Sequence, residues 1–109
     1  MNNNRLLLLH QFYEEDTSDP FNVYALAMEY QNHDILKATE YFKILLAQFP
    51  DYLPTYYHAA ALSVEIAEIG PTEMIYQQGM ALALKQQNTK TYQELQRAYQ
   101  QWKDDQEDW

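Results

Sequence analysis

The chain has 109 residues, a formal net charge of −9 and no cysteine, which suits one domain rather than two and excludes a disulfide framework, a thiolate metal site and a cysteine nucleophile. The acidic balance argues against a surface that tracks phosphate groups, because nucleic-acid affinity rests on Lys and Arg displacing counterions, and it disfavours an anionic membrane for the same reason. Only two glycines and four prolines stand among abundant Ala, Leu, Gln, Glu and Lys, a composition that favours helices.

In chain order, "RLLLLHQFYEED" has four consecutive leucines followed at once by His10, Gln11 and acids. So short an apolar run neither spans a bilayer nor leads to a small-residue cleavage site. A helix over 4–15 of a soluble, cytoplasmic protein is expected. The break "DTSDP" precedes a predicted helix over 20–31, and "QNHD" precedes one over 34–48. In the latter, Ala38, Tyr41, Phe42, Leu45, Leu46 and Phe49 recur at i, i+3, i+4 and i+7, the buried face of an amphipathic helix. Pro50 has no amide hydrogen and restricts Phe49 before it, so that helix ends there. Pro54 is tolerated in a first helical turn, and a fourth helix is predicted over 53–68. "IGP" and "KQQNT" then set off a fifth over 72–86 and a sixth over 89–104. Breaks this short make consecutive helices antiparallel neighbours.

The chain repeats itself. "VYALAMEY" lies over "YYHAAALS" at an offset of 33 residues, pairing Val23 with Tyr56, Leu26 with Ala59, Ala27 with Ala60 and Tyr30 with Ser63. "ATEYFKIL" lies over "TEMIYQQGM" at an offset of 34, pairing Ala38 with Thr72, Phe42 with Tyr76 and Leu45 with Gly79. Upstream, Arg5, Leu9 and Phe12 fall 33 residues before Ala38, Phe42 and Leu45; downstream, Tyr92-x2-Leu95-Gln96-x2-Tyr99 returns to the first-helix pattern.

This pattern resembles the tetratricopeptide repeat, W-x2-L-G-x2-Y followed by A-x3-F and then P. Val23-x2-Leu26-Ala27-x2-Tyr30, Ala38-x3-Phe42 and Pro50 carry the match, with Val for Trp and Ala for Gly. In the second copy Ser63 replaces the tyrosine, Thr72 the alanine, and Leu84 stands where Pro50 stood. The resemblance covers residues 5 to 102 and implies an all-α stack of antiparallel helical hairpins in a short right-handed superhelix. One domain over 1–109 is expected, with a half-repeat helix at 1–17, repeats at 19–52 and 53–86, and a capping helix with an acidic tail at 88–109. Close approach of paired helices explains the small residues Ala27 and Ala60, with Phe42 and Tyr76 filling the space beside them. On the last helix Tyr92, Leu95, Tyr99 and Trp102 form the buried stripe, and its glutamines suit a polar outer cap.

Catalytic motifs are missing from the sequence: no Gly-rich phosphate loop, H-E-x-x-H or G-x-S-x-G is found. His10 and Glu14 are spaced i, i+4 but lack a third ligand, so they read as a surface pair. His33 and Asp34 read as a turn or cap. No enzymatic activity, cofactor or metal is expected.

The resemblance implies instead a concave groove lined by the first helices of successive repeats, accepting a peptide or helix of a protein partner. Carried over by alignment, the groove candidates are Phe21, Tyr24, Met28 and Gln31 in the first copy, Tyr57, His58 and Val64 in the second, and Lys90 and Arg97 on the last helix. Family members that grip the acidic C-terminus of heat-shock chaperones use Lys and Asn at such places. Here Tyr24, Met28, His58 and Glu94 occupy them and only Lys90 agrees, so a partially apolar peptide or helix is the expected ligand. The alternative is a self-association module, a homodimer using exposed aromatics and the tail ending at Trp109.

Overall fold

The computed structural model describes residues 3–107. Helices α1 (Asn3–Glu15), α2 (Pro20–Gln31), α3 (Ile35–Gln48), α4 (Thr55–Ser63), α5 (Thr72–Lys85) and α6 (Thr89–Glu107) follow one another, with a single 3-10 turn at Ala67–Ile69 and no strand among the described residues. The architecture is the expected all-α arrangement of helical hairpins. The chain divides into two compact units, one running to Thr55 and one from Tyr56.

In the first unit, short polar side chains set the helix starts. Asp19 accepts a hydrogen bond from the Phe21 amide with Pro20 at the first helical position, and Asp34 accepts from the Lys37 amide. Each satisfies an amide that has no partner within its own helix. α2 packs on α3, and Val23, Leu26 and Ala27 of α2 together with Ala38, Phe42 and Leu45 of α3 are wholly buried. Small residues on both helices allow the backbones to approach, and Phe42 supplies the bulk beside them.

α1 is fastened to α2 by polar and aromatic contacts. The Asn22 amide donates to the carbonyls of Phe12 and Asp16 at 3.2 and 3.1 Å, closing the C-terminal end of α1, and Arg5 meets Glu29 at 2.8 Å. His10 does not pair with Glu14 on the surface. It lies half-buried within 2.7 Å of the Tyr30 hydroxyl, edge-on to Tyr30 and Tyr41, which stack with centroids 5.7 Å apart at 7°. The aromatic neighbours come from α2 and α3, so spacing within α1 alone cannot reveal them.

In the second unit, Gly79 of α5 lies against Tyr56 of α4. A Cβ built there would stand 2.6 Å from Tyr56 Cβ and 3.1 Å from Leu95 Cδ1. Ser63 and Thr72, the two departures from the repeat pattern, meet at 2.7 Å between hydroxyls. Because the Ser63 hydroxyl donates its one hydrogen to the Ala60 carbonyl at 2.6 Å, Thr72 is the donor in that pair. α6 buries Leu95 completely, while Tyr99 and Trp102 stack on each other beside Tyr76.

The fourth helix stops at Ser63, well short of the expected end at 68. The amides of Glu65 and Ile66 both turn back to the Leu62 carbonyl, and Ile66 is extended. Ser63 engages the preceding turn, and the β-branched Val64 and Ile66 are poor helix formers. Gly70, at φ 138°, then takes a backbone conformation closed to other residues and passes the chain to Pro71. The last helix errs the other way and continues to Glu107, beyond the expected 104. Gln100 and Gln101 donate to Asp104 and Asp105 at 3.0 Å, i, i+4 pairs that extend the helix through the acidic segment. The expectation for Trp109 lies outside the described residues.

Candidate functional site

The residues carried over by alignment fall in two groups. In the first unit Phe21, Tyr24 and Met28 lie along one side of α2, at positions i, i+3 and i+7, and line a single groove together with Ala25 and Asn32. The opposite wall comes from α1, where Arg5, Leu9 and Phe12 project into the same space, giving a hollow of about 410 Å³. Gln31 is half-buried near the end of α2 and does not line it.

This groove is mainly apolar, and its two ends differ. Phe12 and Phe21, 44% and 58% exposed, stand where α1 ends and α2 begins, the stretch of chain that carries Glu14, Glu15, Asp16 and Asp19. Arg5 stands at the other end, held by Glu29, which also meets His33 at 3.3 Å. Tyr24 packs edge-on to Tyr52 at 5.7 Å, and burial holds its hydroxyl pKa above the usual tyrosine value. It is thus a neutral, partly fixed wall rather than a free probe.

In the second unit the candidates are more dispersed. Tyr57 is 44% exposed and Val64, just past α4, is 58% exposed. His58 is half-buried and edge-on to Tyr57 at 5.5 Å, and burial pushes its pKa below the ordinary histidine value, so it favours the neutral imidazole. Arg97 lines a polar hollow on α6 with Gln93, Gln96, Gln100, Gln101 and Asp104. Lys90 is exposed in the first turn of α6 and does not line that hollow. Among the described residues no three His, Asp or Glu side chains gather as a metal site would require, and no helix is long and apolar enough to cross a membrane.

No family model matches the sequence, and no curated protein matches it. Solved structures do. A solution NMR structure of a tetratricopeptide repeat domain protein from Salinibacter ruber is similar to this chain with a TM-score of 0.70 and 36% identity, over 79% of this chain and 88% of that one. The crystal structure of a tetratricopeptide repeat domain protein from the same organism is similar with a TM-score of 0.69 and 35% identity, over 77% of this chain and 94% of that one. The chain belongs to the tetratricopeptide repeat family. A tetratricopeptide repeat fold serves in general as a scaffold for protein–protein interaction.

Within this tetratricopeptide repeat chain, the α1 wall is the part of the groove that alignment to the first helices does not reach. Arg5, Leu9 and Phe12 had a signal, since they fall in register with Ala38, Phe42 and Leu45. That register was informative about the fold, but it also marks the face of α1 that is left open. Gly79 is the register counterpart of Leu45, but periodicity carries no sign of its close approach to Tyr56.

Proposed function

We propose that the chain is a protein-interaction scaffold that holds an apolar segment of a partner protein in the groove between α1 and α2. The observation that carries this reading is the convergence of Phe21, Tyr24 and Met28 with Leu9 and Phe12 around one hollow of about 410 Å³. Large, adaptable Met and aromatic side chains at the centre of a concave apolar surface are the residue types that dominate binding energy. Arg5 and the acids at the far end supply a charged rim that orients what enters. Tyr57, His58, Val64, Lys90 and Arg97 form a second, more polar set of candidate contacts on the other unit. The role requires no cofactor and no bond-making chemistry.

Photo-crosslinking from position 21 tests the groove. A benzophenone side chain introduced at Phe21 is expected to capture a discrete partner peptide from source-cell lysate, and Tyr24→Glu/Met28→Glu in the same background is expected to abolish the adduct while the helical circular-dichroism signal persists. An adduct that survives the double substitution would remove the groove from the interaction. An adduct formed only with another copy of the chain would make the function self-association.

A further inference from the structure

Building on the groove reading, we infer that the natural occupant is an amphipathic α-helix of another protein, seated on α1 as α2 is seated on α3. The argument comes from the chain's own repeat. Arg5, Leu9 and Phe12 of α1 are register counterparts of Ala38, Phe42 and Leu45 of α3. In α3 those three residues are wholly buried, and α2 packs on that helix. In α1 the same three positions line the open groove, with Phe12 44% exposed. The structure therefore shows both states of one surface, covered by a helix in one copy and uncovered in the other.

Charge sets the direction of the occupant. A helix lying on α1 as α2 lies on α3 runs antiparallel to α1. Its N-terminal end then sits beside Glu14, Glu15, Asp16 and Asp19, and its C-terminal end beside Arg5. The partial positive charge of a helix N-terminus matches the acidic end, whereas Arg5 is already paired with Glu29 at 2.8 Å, so the acidic end sets the direction. A partner helix with an apolar face spaced like Val23, Leu26 and Tyr30, and with basic residues near its N-terminal end, fits this site. A second copy offers a poorer occupant. Its α6 repeats the first-helix pattern as Tyr92-x2-Leu95-x3-Tyr99, but Leu95 is already wholly buried and Gln96 stands at the small position.

The probe is a synthetic peptide with the sequence of residues 19–33, the helix that covers α3, titrated into the isotope-labelled full chain. Saturable shifts centred on Leu9, Phe12, Phe21 and Met28, with helical structure induced in the peptide, are the expected result. Phe12→Ala in the chain, and Leu26→Glu in the peptide, should each weaken binding by about tenfold or more. The Phe12 carbonyl that accepts from Asn22 and Asp16 is kept in the variant, and an unchanged helical circular-dichroism signal is the check that the fold is intact. Two lysines added before the peptide's N-terminus should tighten binding more than two added after its C-terminus, with the difference shrinking as salt is raised.

The inference is overturned if no saturable binding occurs, if the Leu26→Glu peptide binds equally well, or if shifts centre on Phe42 because the peptide has displaced α2. Equal effects from the two lysine placements would overturn the assigned direction, and a peptide bound in the groove in extended form would overturn the helix. In that last case the crosslinking result would still stand, so loss of the helical occupant and loss of the groove are separate outcomes. The same shifts produced by raising the concentration of the chain alone would replace the partner with a second copy.

Discussion

The two helical hairpins solve the same packing problem with opposite distributions of bulk. In the first, a medium-sized Val23 on α2 goes with a large Leu45 on α3, and both are wholly buried. In the second, their register counterparts are Tyr56 on α4 and Gly79 on α5, and the glycine is pressed against the tyrosine Cβ. The first hairpin keeps the repeat's tyrosine and alanine as Tyr30 and Ala38, whereas the second joins Ser63 to Thr72 by a hydrogen bond. A degenerate repeat can therefore hold its shape by compensating across the helix pair, and the motif is better read in pairs of positions than one at a time.

The sharpest way to break the first hairpin is to remove its bulk. Phe42→Ala should destabilise by about 3 to 5 kcal/mol, the usual cost of deleting a buried aromatic ring and leaving a cavity. Urea unfolding followed by circular dichroism measures it, and an unchanged midpoint would mean that Phe42 is not central to the α2–α3 interface. In the second hairpin the corresponding weakness is an excess of volume. Gly79→Ala improves helix propensity by about 0.5 to 1 kcal/mol, yet the new methyl meets Tyr56 Cβ at 2.6 Å. That atom is fixed to the α4 backbone and cannot swing aside. The steric term should win, leaving the variant less stable by about 1 to 3 kcal/mol. A stabilised variant would show that α4 and α5 can separate freely.

A smaller effect of the opposite sign is expected where α5 ends. Gln87 has φ 59°, and the Asn88 amide bonds to the Ala83 carbonyl at 2.8 Å, the wrap-around closure that helices usually complete with glycine. A non-glycine residue in this left-handed conformation carries a penalty of about 1 to 2 kcal/mol, offset in part by the greater unfolded-state freedom of glycine. Gln87→Gly should raise stability by about 0.5 to 1 kcal/mol, read as a higher urea midpoint. A lower midpoint would mean that the Gln87 side chain holds the turn.

The helices were legible in the sequence because their ends depend on local chemistry. Pro20, Pro50 and the capping Asp19 and Asp34 act within a few residues, and the apolar stripes of α3 and α6 report directly on burial. The stop at Ser63 was less legible, since the Ser63 bond to the Ala60 carbonyl and the weak helix formers Val64 and Ile66 leave no proline or glycine at the helix end itself to mark it. The groove was half legible. Alignment with the repeat identified Phe21, Tyr24 and Met28, but periodicity shows only that a face of α1 is apolar, not whether another helix covers it. His10 illustrates the same limit, because its partner Tyr30 lies twenty residues away.

His58 offers the finest test of the contrast between hairpins, because its counterpart at the same offset in the first is Ala25, which does not titrate. Burial lowers the His58 pKa, so the folded chain resists a proton that the unfolded chain accepts near pH 6.5. The stability associated with the neutral imidazole is present above about pH 6.5 and is lost as pH falls from there through the depressed folded value. Between about pH 7.5 and pH 5.5 the urea midpoint of the wild type should therefore drop further than that of His58→Gln, whose side chain is neutral throughout. Carboxylates contribute to both proteins alike and cancel in the difference. Parallel pH profiles would mean that water reaches the His58 ring and that it titrates as it does in the unfolded chain.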